Sequence, residues 1–219
     1  VCFPKISEIN VKQDKSELLK FYMALSKIIL IVSSAIFLPV CLFSFEIIEI
    51  WIDYEFAIMG YKIMILLGLG FFLNLTSGLS TQINLGLGYP KVNLFFTLLT
   101  STFNICLIFP FINFWGINGA ALAFFISSLT CPISILYCNK YILDIDNYVF
   151  FKKMYLIPLF SVIIVVILGN LFLNQLVVGI FSLVMVSLFS SLLYITLLFS
   201  FKFINKNDNY FLDVIKGKY

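Results

Sequence analysis

Apolar runs of twenty or so residues recur along this chain, and short polar or charged breaks separate them. A helix needs about 20 mostly apolar residues to cross the hydrocarbon core of a bilayer. Six segments meet that length: 22–45, 61–86, 92–112, 117–138, 154–173 and 176–201. The breaks carry charge or turn signals. Residues 5–20 hold seven charges, 46–60 are acidic, Tyr89-Pro90-Lys91 and Asn113 to Gly116 are short turns, and 139–153 are charged again. Leu173-Asn174-Gln175 is brief and neutral, and the tail from Lys202 is polar. No segment alternates polar and apolar residues over the roughly ten positions that a barrel strand needs. The pattern predicts an all-α polytopic transmembrane bundle of six spans.

Polar residues recur inside these spans at helical spacing. Gly70, Asn74, Ser77, Thr81, Asn84 and Gly88 are 4, 3, 4, 3 and 4 residues apart, with Gln82 and Gly78 beside them. That spacing marks one helix face. Asn93, Thr97, Thr100 and Asn104 repeat the pattern in the third span. Gly116, Ala120, Ala123, Ser127 and Thr130 form a stripe of small residues in the fourth. An amide facing hydrocarbon without a partner costs several kcal/mol, so these faces meet protein or water. Small and hydroxylated residues serve helix–helix contact, which suits the fourth span. For the second and third spans a polar cavity is the sharper expectation, because amides and hydroxyls both donate and accept, as sugars do. Its candidate residues are Asn74, Ser77, Thr81, Gln82, Asn84, Thr97, Thr100 and Asn104. Lys27, the charge set deepest within a span, is a candidate cation for a phosphate; the alternative is a stem in lipid and an ammonium at the headgroups. Lys62 at the opposite end has the same alternative.

Composition fits a membrane protein. Hydrophobic residues make up 62% and charged residues 11%, against about 45–50% and about 25% in soluble domains. Mean hydropathy is +1.07. All fourteen basic residues are Lys, and twelve of them fall in the segments on one side of the six crossings. Glu46, Glu49, Asp53 and Glu55 fall on the other side, with Lys62 the nearest Lys. The positive-inside rule puts the Lys-rich side and the C-terminus in the cytoplasm. Trp51 and Trp115 fall at the ends of spans on the acidic side, where amphipathic rings prefer to sit. Cys2, Cys41, Cys106, Cys131 and Cys138 show no metal or redox spacing and read as inert thiols. Gly86-Leu87-Gly88-Tyr89-Pro90-Lys91 misses the spacing of a phosphate loop. Pro39, Pro110, Pro132 and Pro158 lie within spans and predict kinks. The start, Val1-Cys2-Phe3-Pro4, has neither Met nor a signal pattern, so a preceding span is expected upstream.

The order of features resembles the C-terminal half of polysaccharide flippases, in the multidrug, oligosaccharidyl-lipid and polysaccharide exporter superfamily. The resemblance rests on FPKISE (3–8), a basic loop, a span with Pro39, the acidic stretch with Trp51 and Phe56-Ala57, and the polar span ending Gly88-Tyr89-Pro90-Lys91. Asn104, Pro110 and GINGAALA (116–123) complete it. The resemblance implies two six-helix lobes around a cavity, followed by two extra helices. The organisation would be 1–20, the end of a span and a basic loop with an interfacial helix; 21–138, four helices of the C-terminal lobe; 139–153, a cytoplasmic loop; 154–201, two additional helices; and 202–219, a cytoplasmic tail. It implies transport of an undecaprenyl-diphosphate-linked oligosaccharide across the cytoplasmic (inner) membrane for O-antigen or capsule. The partners would be that lipid, membrane lipids and an N-terminal lobe outside this sequence. It brings no catalytic residue, metal or cofactor, and nucleic acid is not an expected partner. A multidrug or lipid-precursor exporter of the same superfamily is the nearest alternative. All eleven acids lie outside the predicted spans, which favours the sugar reading. A membrane-embedded polymerase or glycosyltransferase is the alternative of another class, and the lack of His and Arg weighs against it.

Overall fold

The computed structural model describes residues 6–9 and 15–203. Residues 1–5, part of the expected interfacial helix (10–14) and the tail beyond 203 therefore lie outside the described residues. Helix α1 (Lys15–Leu42) is followed by a short α2 (Ser44–Trp51), then α3 (Tyr54–Gly86) and α4 (Pro90–Trp115). Helices α5 (Ile117–Ser128) and α6 (Thr130–Tyr137) form one crossing that ends in a π-helical turn, Cys138–Leu143. Helices α7 (Asn147–Met154) and α8 (Leu156–Leu168) form the next, ending in a second π-helical turn, Gly169–Leu173, and a 3-10 turn, Asn174–Leu176. Helix α9 is Ile180–Ser200. No strand occurs among the described residues.

Six helical stretches are long and apolar enough to span a membrane, one for each segment expected from the sequence. The chain is an all-α polytopic bundle, a multi-pass membrane protein. The observed helices run further than the apolar runs alone. Helix α1 starts at Lys15 and α3 at Tyr54, each about two turns before the predicted span, because a helix continues into the interface where polar side chains reach water. Six crossings place Lys15, Lys20, Lys91, Lys140, Lys152, Lys153 and Lys202 at one end of the bundle. Glu46, Glu49, Asp53 and Glu55 lie at the other. Trp51 and Trp115 are exposed at the acidic end, Tyr89, Tyr141 and Tyr148 at the Lys-rich end, as two aromatic belts would be.

At the Lys-rich end the core joins distant segments. Ile6 and Ile9, from a helical turn at 6–9, are buried with Phe21, Tyr22, Ile83, Cys138 and Phe150. Tyr22 stacks on Phe150 at 5.6 Å and donates to Asn139 Oδ1 at 2.7 Å. At the acidic end a smaller cluster joins Phe43, Leu173 and Val186.

The four prolines act where their missing N–H and bulky ring require. A proline at position i leaves the carbonyl of i−4 without its helical donor and pushes against it. Pro132 frees the Ser128 carbonyl, and the fourth crossing breaks at Leu129 between α5 and α6. Pro158 frees the Met154 carbonyl, and the fifth breaks at Tyr155 between α7 and α8. Pro110 lies inside α4, which continues to Trp115. Pro39 lies inside α1 and frees the carbonyl of Ala35. There Ser191 of α9 supplies the donor, its hydroxyl lying 2.8 Å from the Ala35 oxygen. One absent helical bond has become an interhelical one.

The GINGAALA stretch also has a local cause. Gly116 is the single residue between α4 and α5 and has φ +58°, a backbone state that favours glycine. At Gly119 a Cβ would run into the Phe111 carbonyl, so only hydrogen lets α5 approach α4 this closely.

Removing the Ser191 hydroxyl leaves the Ala35 carbonyl unbonded in the bundle. Ser191→Ala is expected to destabilise the protein by about 1–3 kcal/mol. In a Pro39→Ala background, where residue 39 again donates within the helix, the same change has a much smaller effect. Detergent unfolding of the four proteins in this double-mutant cycle measures the coupling, and additive losses would refute the exchange.

Candidate functional site

The amide stripe of α3 sits against neighbouring helices. Asn74 Nδ2 donates to Ser128 Oγ at 3.0 Å and to the Gly70 carbonyl at 2.9 Å, while Asn74 Oδ1 accepts from Cys131 at 3.4 Å. The side chain thus ties together the two pieces of the fourth crossing across its break. Gly70 leaves room for this, since a Cβ there would press on Phe124 and Ser128. Ser77 is buried and donates to the Asn74 carbonyl at 2.9 Å. Asn84 is buried, and its Nδ2 donates to Asn93 Oδ1 at 2.8 Å; Asn93 Nδ2 in turn donates to the Thr81 carbonyl at 2.9 Å. On α4, Thr100 donates to the Phe96 carbonyl and meets the Thr130 hydroxyl.

Asn74, Asn84 and Thr100 therefore bond across helix contacts, and Ser77 bonds within α3. The fourth crossing supplies two of the partners, Ser128 for Asn74 and Thr130 for Thr100, and α4 supplies Asn93 for Asn84. The remaining candidates are placed differently. Gln82, half-buried Asn104 and exposed Thr97 make no side-chain hydrogen bond among the described residues. The Thr81 side chain is half-buried, and only its carbonyl enters the seam. Lys27 is half-buried near the Lys-rich end, with Nζ 5.6 Å from the centre of the Phe203 ring.

Two features survive as candidate functional surfaces. The first is the open flank of α3 and α4. No residue of α4 is buried, and on α3 Phe71, Leu75, Gly78 and Leu85 are exposed along one face, with half-buried Gln82 at the same spacing. Thr97 lies one turn along α4 from Asn93, whose bonds to Asn84 and Thr81 fix the register. Gln82 and Thr97 thus lie at neighbouring depth, as polar groups without side-chain hydrogen bonds among the described residues, and exposed Ser101 and Thr102 follow further along α4.

The second is a groove of about 550 Å³ between α1, α3 and α8. Leu30, Ser34, Phe37, Leu38 and Cys41 line it from α1, and Tyr61, Ile65, Leu69 and Phe72 from α3. Both sets have the spacing of one helix face. Pro158, Leu159, Val162 and Val166 of α8 complete the walls. Gly169 closes α8 on α1, since a Cβ there would meet the Leu42 side chain. None of the nine sequence-derived candidates lines this groove. Its body is hydrocarbon, while Ser44, Glu46, Asn170 and Asn174 sit at the acidic end. Glu46 Oε2 and Asn174 Oδ1 are buried without hydrogen-bond partners. Glu46 and Asn174 were missed because they lie in the breaks rather than the spans. The available signal was the i, i+4 pair Asn170 and Asn174 falling at the same end as Glu46.

Burial lifts the Glu46 carboxyl above the usual carboxylate range; its own backbone N–H pulls it down and Glu49 lifts it further. Among the described residues no three His, Cys, Asp or Glu side chains come together in a way that could hold a metal. No protein-family model, curated protein or solved structure matches this chain.

Between the ordinary carboxylate pKa and the raised one, the folded protein holds a proton that the unfolded chain has released. Stability therefore falls as pH climbs through that window. Glu46→Gln is neutral throughout and is expected to match the parent near about pH 4 and to exceed it near about pH 7. Detergent melting temperatures across this range test the sign, and a variant less stable at neutral pH would contradict it.

Proposed function

We propose that this chain is a lobe of a flippase that carries a lipid-linked oligosaccharide across the cytoplasmic membrane for cell-surface polysaccharide synthesis. The observation that carries the reading is the open flank of α3 and α4, where Gln82 and Thr97 stand unpaired on a membrane-spanning surface. An amide and a hydroxyl at that depth need a polar partner, and a sugar offers hydroxyls that donate and accept in return. The order of features resembling the polysaccharide flippases supports the same reading.

In this reading a second lobe faces α3 and α4, and the cavity lies between the two. Gln82, Thr97, Asn104 and the Thr81 hydroxyl contact the sugar headgroup, while the prenyl tail remains in lipid. The seam through Asn74, Ser77, Asn84 and Thr100 keeps α3 to α6 together as the lobe rocks. The Lys-rich end faces the cytoplasm, by the charge rule. Lys27 serves at the headgroup boundary, where a cation offsets diphosphate charge.

Single-cysteine variants test this in the full chain after replacement of Cys2, Cys41, Cys106, Cys131 and Cys138. A water-soluble maleimide is expected to label Gln82→Cys and Thr97→Cys in membranes, and a short-chain polyprenyl-diphosphate disaccharide is expected to slow both reactions. Ser77→Cys and Asn84→Cys stay unlabelled, since both positions are buried. Labelling at 82 and 97 that the sugar lipid leaves unchanged, or no labelling at either, would sink the flippase reading.

A further inference from the structure

One face of α4 changes character partway along its length. From the Lys-rich end it runs Asn93, Thr97, Ser101 and Asn104, and the same helical spacing carries it on to Ile108, Phe111 and Trp115. Asn104 stands about 21 Å along a helix of about 39 Å, so the change falls near the middle of the membrane. Helix α3 follows the same order. From the Lys-rich end its exposed face holds Leu85, Gln82 and Gly78, then Leu75 and Phe71. A Cβ on Gly78 would meet nothing within 4 Å, so α3 borders open space one turn inward of Gln82. At the acidic end the Phe111 and Trp115 rings meet edge to face, their centres 5.2 Å apart. At the Lys-rich end exposed Lys91 stands in the first turn of α4.

The hydroxyls on this face also differ from those on α9. There, exposed Thr196 and Ser200 donate to carbonyls of their own helix at 2.8 and 3.0 Å, the bond that lets a hydroxyl stand in hydrocarbon. Thr97 and Ser101 are exposed on α4 and make no such bond among the described residues. Gln82 and Asn104, both half-buried, make no side-chain bond there either. Four unbonded polar groups share one half of the crossing, and the α4 face beyond Asn104 carries none. Water can satisfy them only if it reaches that half.

We infer that the α3–α4 flank is a vestibule that water enters from the Lys-rich end alone and that stops at Asn104, where Ile108, Phe111 and Trp115 seal it from the acidic side. Ser101 joins Gln82, Thr97 and Asn104 in its wall. The water path needs only the fold; its further use rests on the flippase reading. On that reading the vestibule takes up a hydroxyl-bearing headgroup from the leaflet at the Lys-rich end, and the apolar face beyond Asn104 is the barrier that the headgroup must pass.

Sided labelling of the full chain in sealed vesicles tests this. With the native cysteines replaced, Lys153→Cys and Val178→Cys report the Lys-rich and acidic sides, since both residues are exposed at those ends. A membrane-impermeant maleimide is added on the side that labels Lys153→Cys. It is expected to label Thr97→Cys and Ser101→Cys at least about tenfold faster than Ile108→Cys and Phe109→Cys, because the reactive thiolate forms in water and not in hydrocarbon. Phe109 is 69% exposed, so its silence would reflect hydrocarbon and not burial. From the side that labels Val178→Cys, neither 97 nor 101 reacts. Gly78→Trp, which fills the open space beside α3, slows Ser101→Cys severalfold. Labelling after denaturation confirms that each thiol is reactive, and melting temperatures confirm that each variant is folded. Equal rates at 101 and 109, reaction at 97 or 101 from the acidic side, or a rate at 101 that Gly78→Trp leaves unchanged would overturn the vestibule and leave the flippase reading in place. Sided labelling that a short-chain polyprenyl-diphosphate disaccharide does not slow would remove the flippase reading and keep the vestibule.

Discussion

At hydrocarbon depth there is no water to bond, and every polar group in this bundle is arranged around that fact. Backbone groups are satisfied within helices. Side-chain amides and hydroxyls must find their partners across helix contacts, and most do so. Asn74 reaches Ser128 and Cys131, Asn93 bridges Asn84 and Thr81, and Tyr22 reaches Asn139. Hydrophobic burial cannot supply this specificity, because lipid tails are as apolar as Leu and Phe. The polar contacts choose which helices touch and at what register.

The prolines show the same constraint acting on the main chain. Pro39, Pro132 and Pro158 each free a carbonyl, and the bundle answers in two ways. At Ser128 and Met154 the helix breaks, and a new helix begins within two residues. At Ala35 the helix continues and a hydroxyl from a distant crossing takes the vacant position. The break at Leu129 is also where Asn74 bonds to both sides, so a weak point in one crossing is bridged by the strongest polar group of another.

The number of crossings, their order and the separation of Lys from acid were legible in the sequence, because span length and charge are properties of single segments. Helix ends were less so: Lys15 and Tyr54 begin helices well before the apolar runs, since a helix tolerates charge once it reaches the interface. The polar faces were legible as faces but not by what they meet. Periodicity says that Asn74, Ser77 and Asn84 share a side; it does not say that Ser128 and Cys131 meet Asn74 or that Asn93 meets Asn84. That requires the fold. The groove was harder still, because its walls are ordinary Leu, Phe and Val, and its polar end is assembled from breaks far apart in the chain.

A polar group already bonded inside the lobe is a poor candidate for recognising a ligand, because binding would first break a bond that holds the bundle together. Groups left over are better placed. By that criterion the amide-rich stripe is structural despite its conspicuous sequence. Among the groups left over, two sets differ in character. On the α3–α4 flank Gln82 and Thr97 are neutral and both donate and accept, which suits a neutral, hydroxyl-rich partner. Around the groove, Glu46 Oε2 and Asn174 Oδ1 are buried oxygens without partners, closed off from its hydrocarbon interior.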